Sequence, residues 1–267
     1  MRSYGLEYVR SLLAAGRYSF TRAEASGTIK RKGSALNKIL QRLQRAGWIH
    51  PLGKSFFIII DPQNKAMGSI PPAWFMDAWA HHRGVEYYVG GLSAAEWHGA
   101  AHQRPQIFQV VVNQAIRGFK LASGQVQLLF RHKMNADMWE LKKVPTGFVH
   151  VSTPEMTAYD LLSLRTACPS LDHAATVYVE LGSAMKASKI ASLTKFGDLA
   201  TLQRMGWLLD RTGWASLSAG LAQHITRQTP VWTPLQASGL RQGPRNTKWH
   251  IIENTDVQPD LEPGEPI

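Results

Sequence analysis

The sequence predicts an α+β fold: an N-terminal winged helix-turn-helix followed by a larger mixed α/β C-terminal domain. The first 66 residues show, in order, two helices, a strongly amphipathic third helix and a β-hairpin. The rest of the chain mixes short β-prone runs with helical segments. With 267 residues, 44% of them hydrophobic, the chain is long enough to bury such a core without a disulfide or metal.

Each of the three N-terminal helices has a recognisable start or stop. Apolar residues recur at helical spacing between residues 6 and 13, and Gly16 ends that pattern. The segment Thr21 to Glu24 has the form of a capping box, so a short second helix is expected from there to about Gly27. A third helix is expected from Gly33 to Gly47, with one leucine-rich stripe along it.

The hairpin follows directly. Trp48 to Leu52 and Ser55 to Ile60 are β-prone runs on either side of Gly53-Lys54, and Asp61-Pro62 ends the second run. A hairpin at this point of a helix-turn-helix is the wing of a winged helix, and Lys54 is expected at its tip.

The second region is predicted to be mixed α and β. Helices are expected over residues 73–82 and 92–99, from Pro154 to Leu162, and over most of the chain from there to about residue 223. Strands are expected over residues 87–89, 106–113, 125–131 and 148–152. The run Val110 to Val112 is typical of a strand buried on both faces.

Two six-residue segments, 43–48 and 202–207, share five of six residues, including a Gly-Trp pair. Both are interpreted as a helix end, with glycine in the left-handed conformation and the tryptophan folding back on the helix.

Charge divides the chain into three parts. Residues 1–65 hold twelve basic and three acidic side chains, a net of +9, whereas residues 66–252 carry +7 over a much longer stretch and residues 253–267 hold five acids and no base. The predicted domains are therefore 1–66, the winged helix or head; 67–252, the larger domain; and 253–267, an acidic tail expected to be disordered. A basic head indicates a polyanionic partner, and double-stranded DNA fits a winged helix.

The residues expected to touch DNA follow from this geometry. The leucine stripe of the third helix would be buried, so the donor-rich opposite face would enter the major groove. Lysines and arginines just before the helix would contact phosphates. The predicted DNA-binding residues are Lys30, Arg31, Lys32, Ser34, Asn37, Lys38, Gln41, Arg42, Arg45 and Lys54.

Composition argues against several other classes. The single cysteine, Cys168, allows neither an intramolecular disulfide nor a four-cysteine zinc site, and it suits a reducing compartment. A run of about eighteen or more apolar residues does not occur, so a membrane partner is not expected and a cytoplasmic location is. His98 and His102 have metal-ligand spacing but lack a carboxylate between them, so neither a metal nor a cofactor is expected.

Two alternative functions stay open. A magnesium-dependent nuclease directed by the winged helix would use Glu140 and Lys142 on alternate positions of a strand, although residues 97–136 lack the acidic partner such a site needs. A non-catalytic adaptor would bind protein through Trp74, Trp79 and Trp97, although aromatics at helical spacing usually belong to a core.

The order of motifs in the second region resembles the AbiEi family of type IV antitoxins. The resemblance rests on residues 87–99, the strand Gln109 to Val112, residues 151–162 and the helix Leu202 to Leu209. An N-terminal winged helix accompanies this domain in the family, so the likeness extends over roughly residues 5–255.

The resemblance implies a function. Such proteins bind inverted repeats in their own promoter and repress an operon that also encodes an AbiEii-like nucleotidyltransferase toxin. Their C-terminal domain neutralises the toxin without a stable complex. By this resemblance the chain would be a phage-defence autorepressor and antitoxin, and it would not be an enzyme.

Overall fold

The structure is a computed structural model, and it describes residues 4–100 and 105–260. These residues form two compact units. Unit 1 comprises residues 1–88, 106–134 and 141–150, and unit 2 comprises residues 89–105, 135–140 and 151–267, less the residues outside the described ranges. The three-domain division with limits at residues 66 and 252 stays a prediction.

The N-terminal part of unit 1 is a winged helix-turn-helix. Its elements are α1 (Tyr4–Ala14), β1 (Ser19–Thr21), α2 (Arg22–Ile29), α3 (Gly33–Arg45), β2 (Ile49–Leu52) and β3 (Phe56–Ile59). The strands form an antiparallel sheet in the order β1-β3-β2, which adds a short strand, β1, to the predicted hairpin. The predicted fold of the head is confirmed.

Local sequence explains the helix ends. The Thr21 side chain accepts the Glu24 backbone N–H, and the Glu24 carboxylate accepts the Thr21 N–H, so the predicted capping box is present. Gly47 has a φ of 70°, and the backbone N–H of Trp48 donates to the Leu43 carbonyl at 3.0 Å. Glycine closes α3 because a side chain would be strained in this left-handed conformation.

The wing of the head also contacts the next helix, α4 (Met76–Arg83). The Ser55 hydroxyl and the His82 Nε2 lie 2.9 Å apart, and the centres of the Phe56 and His82 rings lie 5.4 Å apart. The helix expected over residues 73–82 is thus a short 3₁₀ turn at Pro72–Trp74 followed by α4.

A six-stranded mixed sheet follows. Its elements are β4 (Tyr87–Val89), β5 (Ile107–Val112), β6 (Phe119–Leu121), β7 (Gly124–Phe130), β8 (Trp139–Val144) and β9 (Gly147–Ser152), with helix α5 (Gly91–Trp97) between β4 and β5. The order is β6-β7-β5-β4-β9-β8, and β5 pairs in parallel with β7. Val110 to Val112 are fully buried, as their unbroken apolar run predicts.

Unit 2 is mainly helical after the sheet. Its remaining elements are α6 (Pro154–Ser163), α7 (Leu171–Leu181), α8 (Ala187–Ser192), α9 (Leu199–Arg211), α10 (Ala219–Arg227), β10 (Thr233–Pro234), β11 (Arg245–Asn246) and β12 (Ile251–Ile252). Thr153 caps α6 by accepting the Met156 N–H, and Pro154 occupies the first turn, as expected. The small sheet β10-β12-β11 was not predicted, because two-residue strands leave no period in the sequence.

Gly206 corrects the interpretation of the second six-residue segment. It lies inside α9 rather than at a helix end, and its φ is not positive. A Cβ at this position would lie 2.1 Å from the Trp249 ring, which is fully buried. The helix therefore needs glycine for close packing of an indole and not for a left-handed turn, so the same local sequence serves two different purposes.

The start of the acidic tail is also corrected. Val257 is buried, the Glu253 carboxylate accepts the Trp207 indole N–H at 2.7 Å, and the Gln258 backbone N–H donates to Asp172 at 2.9 Å. Residues 253–260 are thus packed parts of unit 2 rather than a disordered tail. Residues 261–267 lie outside the described residues.

We expect Gly206→Ala to lower the free energy of unfolding by about 1–3 kcal/mol, because the new methyl group overlaps the Trp249 ring. Gly27→Ala is the matched control, since Gly27 lies in α2 without a positive φ and a Cβ there would meet no atom within 4 Å. It should raise stability by about 0.5–1 kcal/mol. Urea unfolding of the full chain measures both, and equal effects would contradict the packing role of Gly206.

Candidate nucleic-acid interface

The position of the candidate interface depends on how α3 packs. Leu36, Leu40 and Leu43 are 2–4% exposed and belong to the core of the head, together with residues of α1 and the wing. Burying this stripe turns the opposite face of α3 toward solvent. The exposed residues on α3 include six of those predicted to bind DNA: Ser34, Asn37, Lys38, Gln41, Arg42 and Arg45.

The three basic residues before α3 are also exposed. Lys30 closes α2 in the left-handed conformation, with a φ of 54°, and the Ser26 hydroxyl donates to the Arg31 carbonyl at 3.0 Å. Lys32 is the N-cap residue of α3 without a side-chain capping bond. The backbone N–H groups of the first turn of α3 and these cations together favour an anion such as a phosphate at this point.

Arg22 connects the helix to the wing. Its Nη1 donates to the Asn37 Oδ1 at 2.5 Å, and its Nε donates to the Lys54 carbonyl at 2.9 Å. The guanidinium carbon also lies 5.7 Å from the centre of the Phe57 ring. The Arg22 side chain therefore fixes the position of Asn37 on α3 relative to the exposed turn of the wing.

Arg22 was not predicted as a site residue from the sequence. Its partners are 15 and 32 residues away along the chain, and both bonds depend on the folded positions of α3 and the wing. The bond to Arg22 also shows that Asn37 has a bracing role, since its amide oxygen already accepts a charged donor.

Two further cations surround Trp48 at the end of α3. The Lys65 ammonium lies 4.1 Å from the centre of the Trp48 ring, and the Arg10 guanidinium carbon lies 5.9 Å from it. These contacts stabilise the closing turn of the helix through cation–π attraction. Neither residue was predicted from the sequence, because a cation–π pair has no fixed spacing.

Two carboxylates of the head, those of Glu24 and Asp61, form their bonds at places other than the outer face of α3. The helix α3 itself contains no Asp or Glu. Glu24 pairs with Arg17 at 2.5 Å, and Asp61 accepts the Asn64 backbone N–H at 2.9 Å. Burial alone would raise the pKa of Glu24, but the Thr21 and Arg17 donors outweigh it and hold the pKa below its ordinary value. The basic charge of α3 therefore keeps its attraction for an anionic partner.

The alternative sites gain no support. Glu140 and Lys142 both lie on β8, and within residues 4–100 and 105–260 there is no cluster of three or more His, Cys, Asp or Glu side chains that could hold a metal ion. Trp79 is buried, and Trp74 and Trp97 are partly buried, so they do not offer an exposed aromatic surface.

The remaining candidate residues from the sequence are His98, His102 and Cys168. The His98 Nε2 lies 2.7 Å from the Ser152 carbonyl, whereas His102 lies outside the described residues. Burial raises the pKa of the Cys168 thiol to about 11, and its Sγ contacts the Ser170 carbonyl, so this thiol is poorly nucleophilic at neutral pH.

Across the described part of the chain, helices long and apolar enough to span a bilayer are absent.

The fold and the basic face define a mixed α/β protein with an N-terminal winged helix-turn-helix. Comparison with known families then identifies the second part: residues 88–211 match the AbiEi antitoxin C-terminal domain. The chain thus carries an AbiEi antitoxin domain, and the family resemblance seen in the sequence is confirmed. This match supports, in general terms, an antitoxin or regulator of the type IV toxin–antitoxin class.

Among solved structures, the chain is similar to the RV2827C protein from Mycobacterium tuberculosis. The TM-score is 0.69 at 15% sequence identity, and the match covers 94% of this chain and 91% of the other. At this identity the likeness shows the fold, and it extends over almost the whole length of both chains. A search of curated proteins found no significant match.

We expect Arg22→Ala to lower the free energy of unfolding by about 0.5–1.5 kcal/mol, because it removes two hydrogen bonds from a charged donor and the contact of the guanidinium with the Phe57 ring. Arg45→Ala, which removes an exposed arginine at the end of α3, is the control and should change stability by less than about 0.5 kcal/mol. Thermal unfolding compares the two variants, and an Arg22→Ala protein as stable as the control would contradict the brace.

Proposed function

We propose that the chain is a DNA-binding autorepressor and antitoxin of a type IV toxin–antitoxin system. The observation that carries the DNA-binding part is the outer face of α3, which is exposed, basic and free of carboxylates on a winged helix. The match of residues 88–211 to the AbiEi antitoxin domain supports the antitoxin part.

In this proposal α3 enters the major groove. Asn37, Lys38, Gln41 and Arg42 would face the base edges, because amide and guanidinium groups match the donor and acceptor patterns found there. The cations of residues 30–32 would neutralise phosphates at the entrance of the helix, and Lys54 would reach the backbone from the wing. The target would be the inverted repeats of the promoter of this gene.

The partner toxin would be an AbiEii-like nucleotidyltransferase encoded beside this gene. Neutralisation would be the task of residues 67–252 and would take place in the cytoplasm without a stable complex of the two proteins. This part of the proposal rests on the AbiEi domain, and it separates the two functions along the chain.

Replacing Lys38, Gln41 and Arg42 together by alanine should reduce the affinity for the promoter fragment by at least tenfold and abolish preference over a scrambled fragment. Each lost base contact is worth about 1–3 kcal/mol, and losing two cations should reduce the salt dependence of binding. Fluorescence anisotropy at several salt concentrations measures both quantities.

The control variant replaces the same residue types at exposed positions outside the head: Lys133, Gln223 and Arg227. It should keep the preference for the promoter fragment. Sequence preference that survives in the α3 variant would reject α3 as the recognition helix.

Co-expression with the neighbouring toxin gene tests the antitoxin function. The full chain should restore colony formation, and the α3 triple variant should do so as well when both genes are expressed from foreign promoters, because α3 lies outside the antitoxin domain. Colony counts after induction give the result. Failure of the unmodified chain to rescue growth would refute the antitoxin proposal while leaving the DNA-binding test intact.

A further inference from the structure

Unit 2 contains a pocket of about 510 Å³ whose residues have no part in the DNA-binding proposal. It is lined by residues 135–140, by the first turn of α6, and by residues of the segment 188–196, which runs through α8. Its volume falls in the range of small-molecule sites.

Glu155, in the first turn of α6, is the most informative residue of this lining. It is 1% exposed, and its Oε1 accepts the Lys186 backbone N–H at 2.7 Å. Its Oε2 is buried and has no hydrogen-bond partner within the described part of the chain. Buried polar atoms are nearly always paired, so this oxygen indicates a donor from outside the described residues.

The other charges of the lining favour a positively charged ligand. Three carboxylates, Asp137, Glu140 and Glu155, stand against two lysines, Lys189 and Lys195, although the chain as a whole carries +11. Both lysines are exposed and can extend their ammonium groups into solvent. An anionic ligand would instead have to approach the buried carboxylate of Glu155, which opposes it.

The lining also indicates that the cation is organic. The pocket contains Trp139 and Phe196, and aromatic rings attract organic cations through their π faces. The three carboxylates do not converge as metal ligands would, since no metal-holding cluster occurs among the described residues. Amine or guanidinium N–H groups can reach separated acceptors, whereas one metal ion cannot.

We propose that this pocket binds a small organic cation, a primary amine or a guanidinium, with an N–H group donating to the Glu155 Oε2. Asp137 adds attraction at the rim, and Trp139 and Phe196 contribute the aromatic part of the lining. The site lies within the segment that matches the AbiEi antitoxin domain, so a bound ligand would contact that domain directly.

Isothermal titration calorimetry of the full chain with agmatine, which carries both cationic groups, tests the proposal. Saturable binding with one site per chain is expected, and Glu155→Gln should weaken it at least tenfold. Glutamine keeps an oxygen to accept the Lys186 N–H but places no charge beside the ligand. ATP serves as an anionic probe, and it should not bind in a Glu155-dependent way.

Glu7→Gln is the matched control, because Glu7 is an exposed carboxylate on α1 and its loss changes the net charge equally. It should bind agmatine like the unmodified chain. Asp137→Asn, at an exposed rim position, should weaken binding roughly two- to fivefold, and it serves as the test if Glu155→Gln does not fold. No saturable binding of agmatine, equal binding by the pocket variants, or Glu155-dependent binding of ATP would each overturn the proposal.

Discussion

Burial of the leucine stripe of α3 is the constraint on which the N-terminal unit depends. Leu36, Leu40 and Leu43 are all buried, and burial of each side chain stabilises the fold by about 1.5–3 kcal/mol. Each residue of a helix points in a set direction around the helix axis. Burial of the three leucines therefore determines which residues of α3 face solvent. The basic outer face of α3 is therefore a consequence of the core of the head, and any change that rotated α3 would move all six predicted DNA contacts on this helix at once.

Hydrogen bonds over long sequence distances complete this arrangement. Arg22 ties Asn37 to the Lys54 turn, so the helix and the wing present one surface rather than two mobile ones. In unit 2, Asp210 accepts both the Trp249 indole N–H and the Lys248 ammonium, which secures the indole against α9. In both cases one charged side chain bonds to two groups that lie elsewhere in the sequence.

Much of the fold could be predicted because its signals are local. The capping box at Thr21, the left-handed Gly47 and the valine run of β5 each follow from a few neighbouring residues. Gly206 shows where local prediction fails, since the segment around it matches the segment around Gly47 in five of six residues. The difference lies in Trp249, a distant residue whose ring occupies the space where a side chain would stand.

The sequence by itself determined the class of fold, the order of elements in the head and the set of basic residues on its third helix. Periodicity and turn chemistry act between residues close in sequence, so they can be recognised without a structure. Only the tertiary structure decided that Arg22 braces the interface, that residues 253–260 pack into unit 2, and that Glu155 has a buried oxygen without a partner among the described residues. These features depend on side chains from distant segments meeting in space, and such meetings leave no pattern in a single sequence.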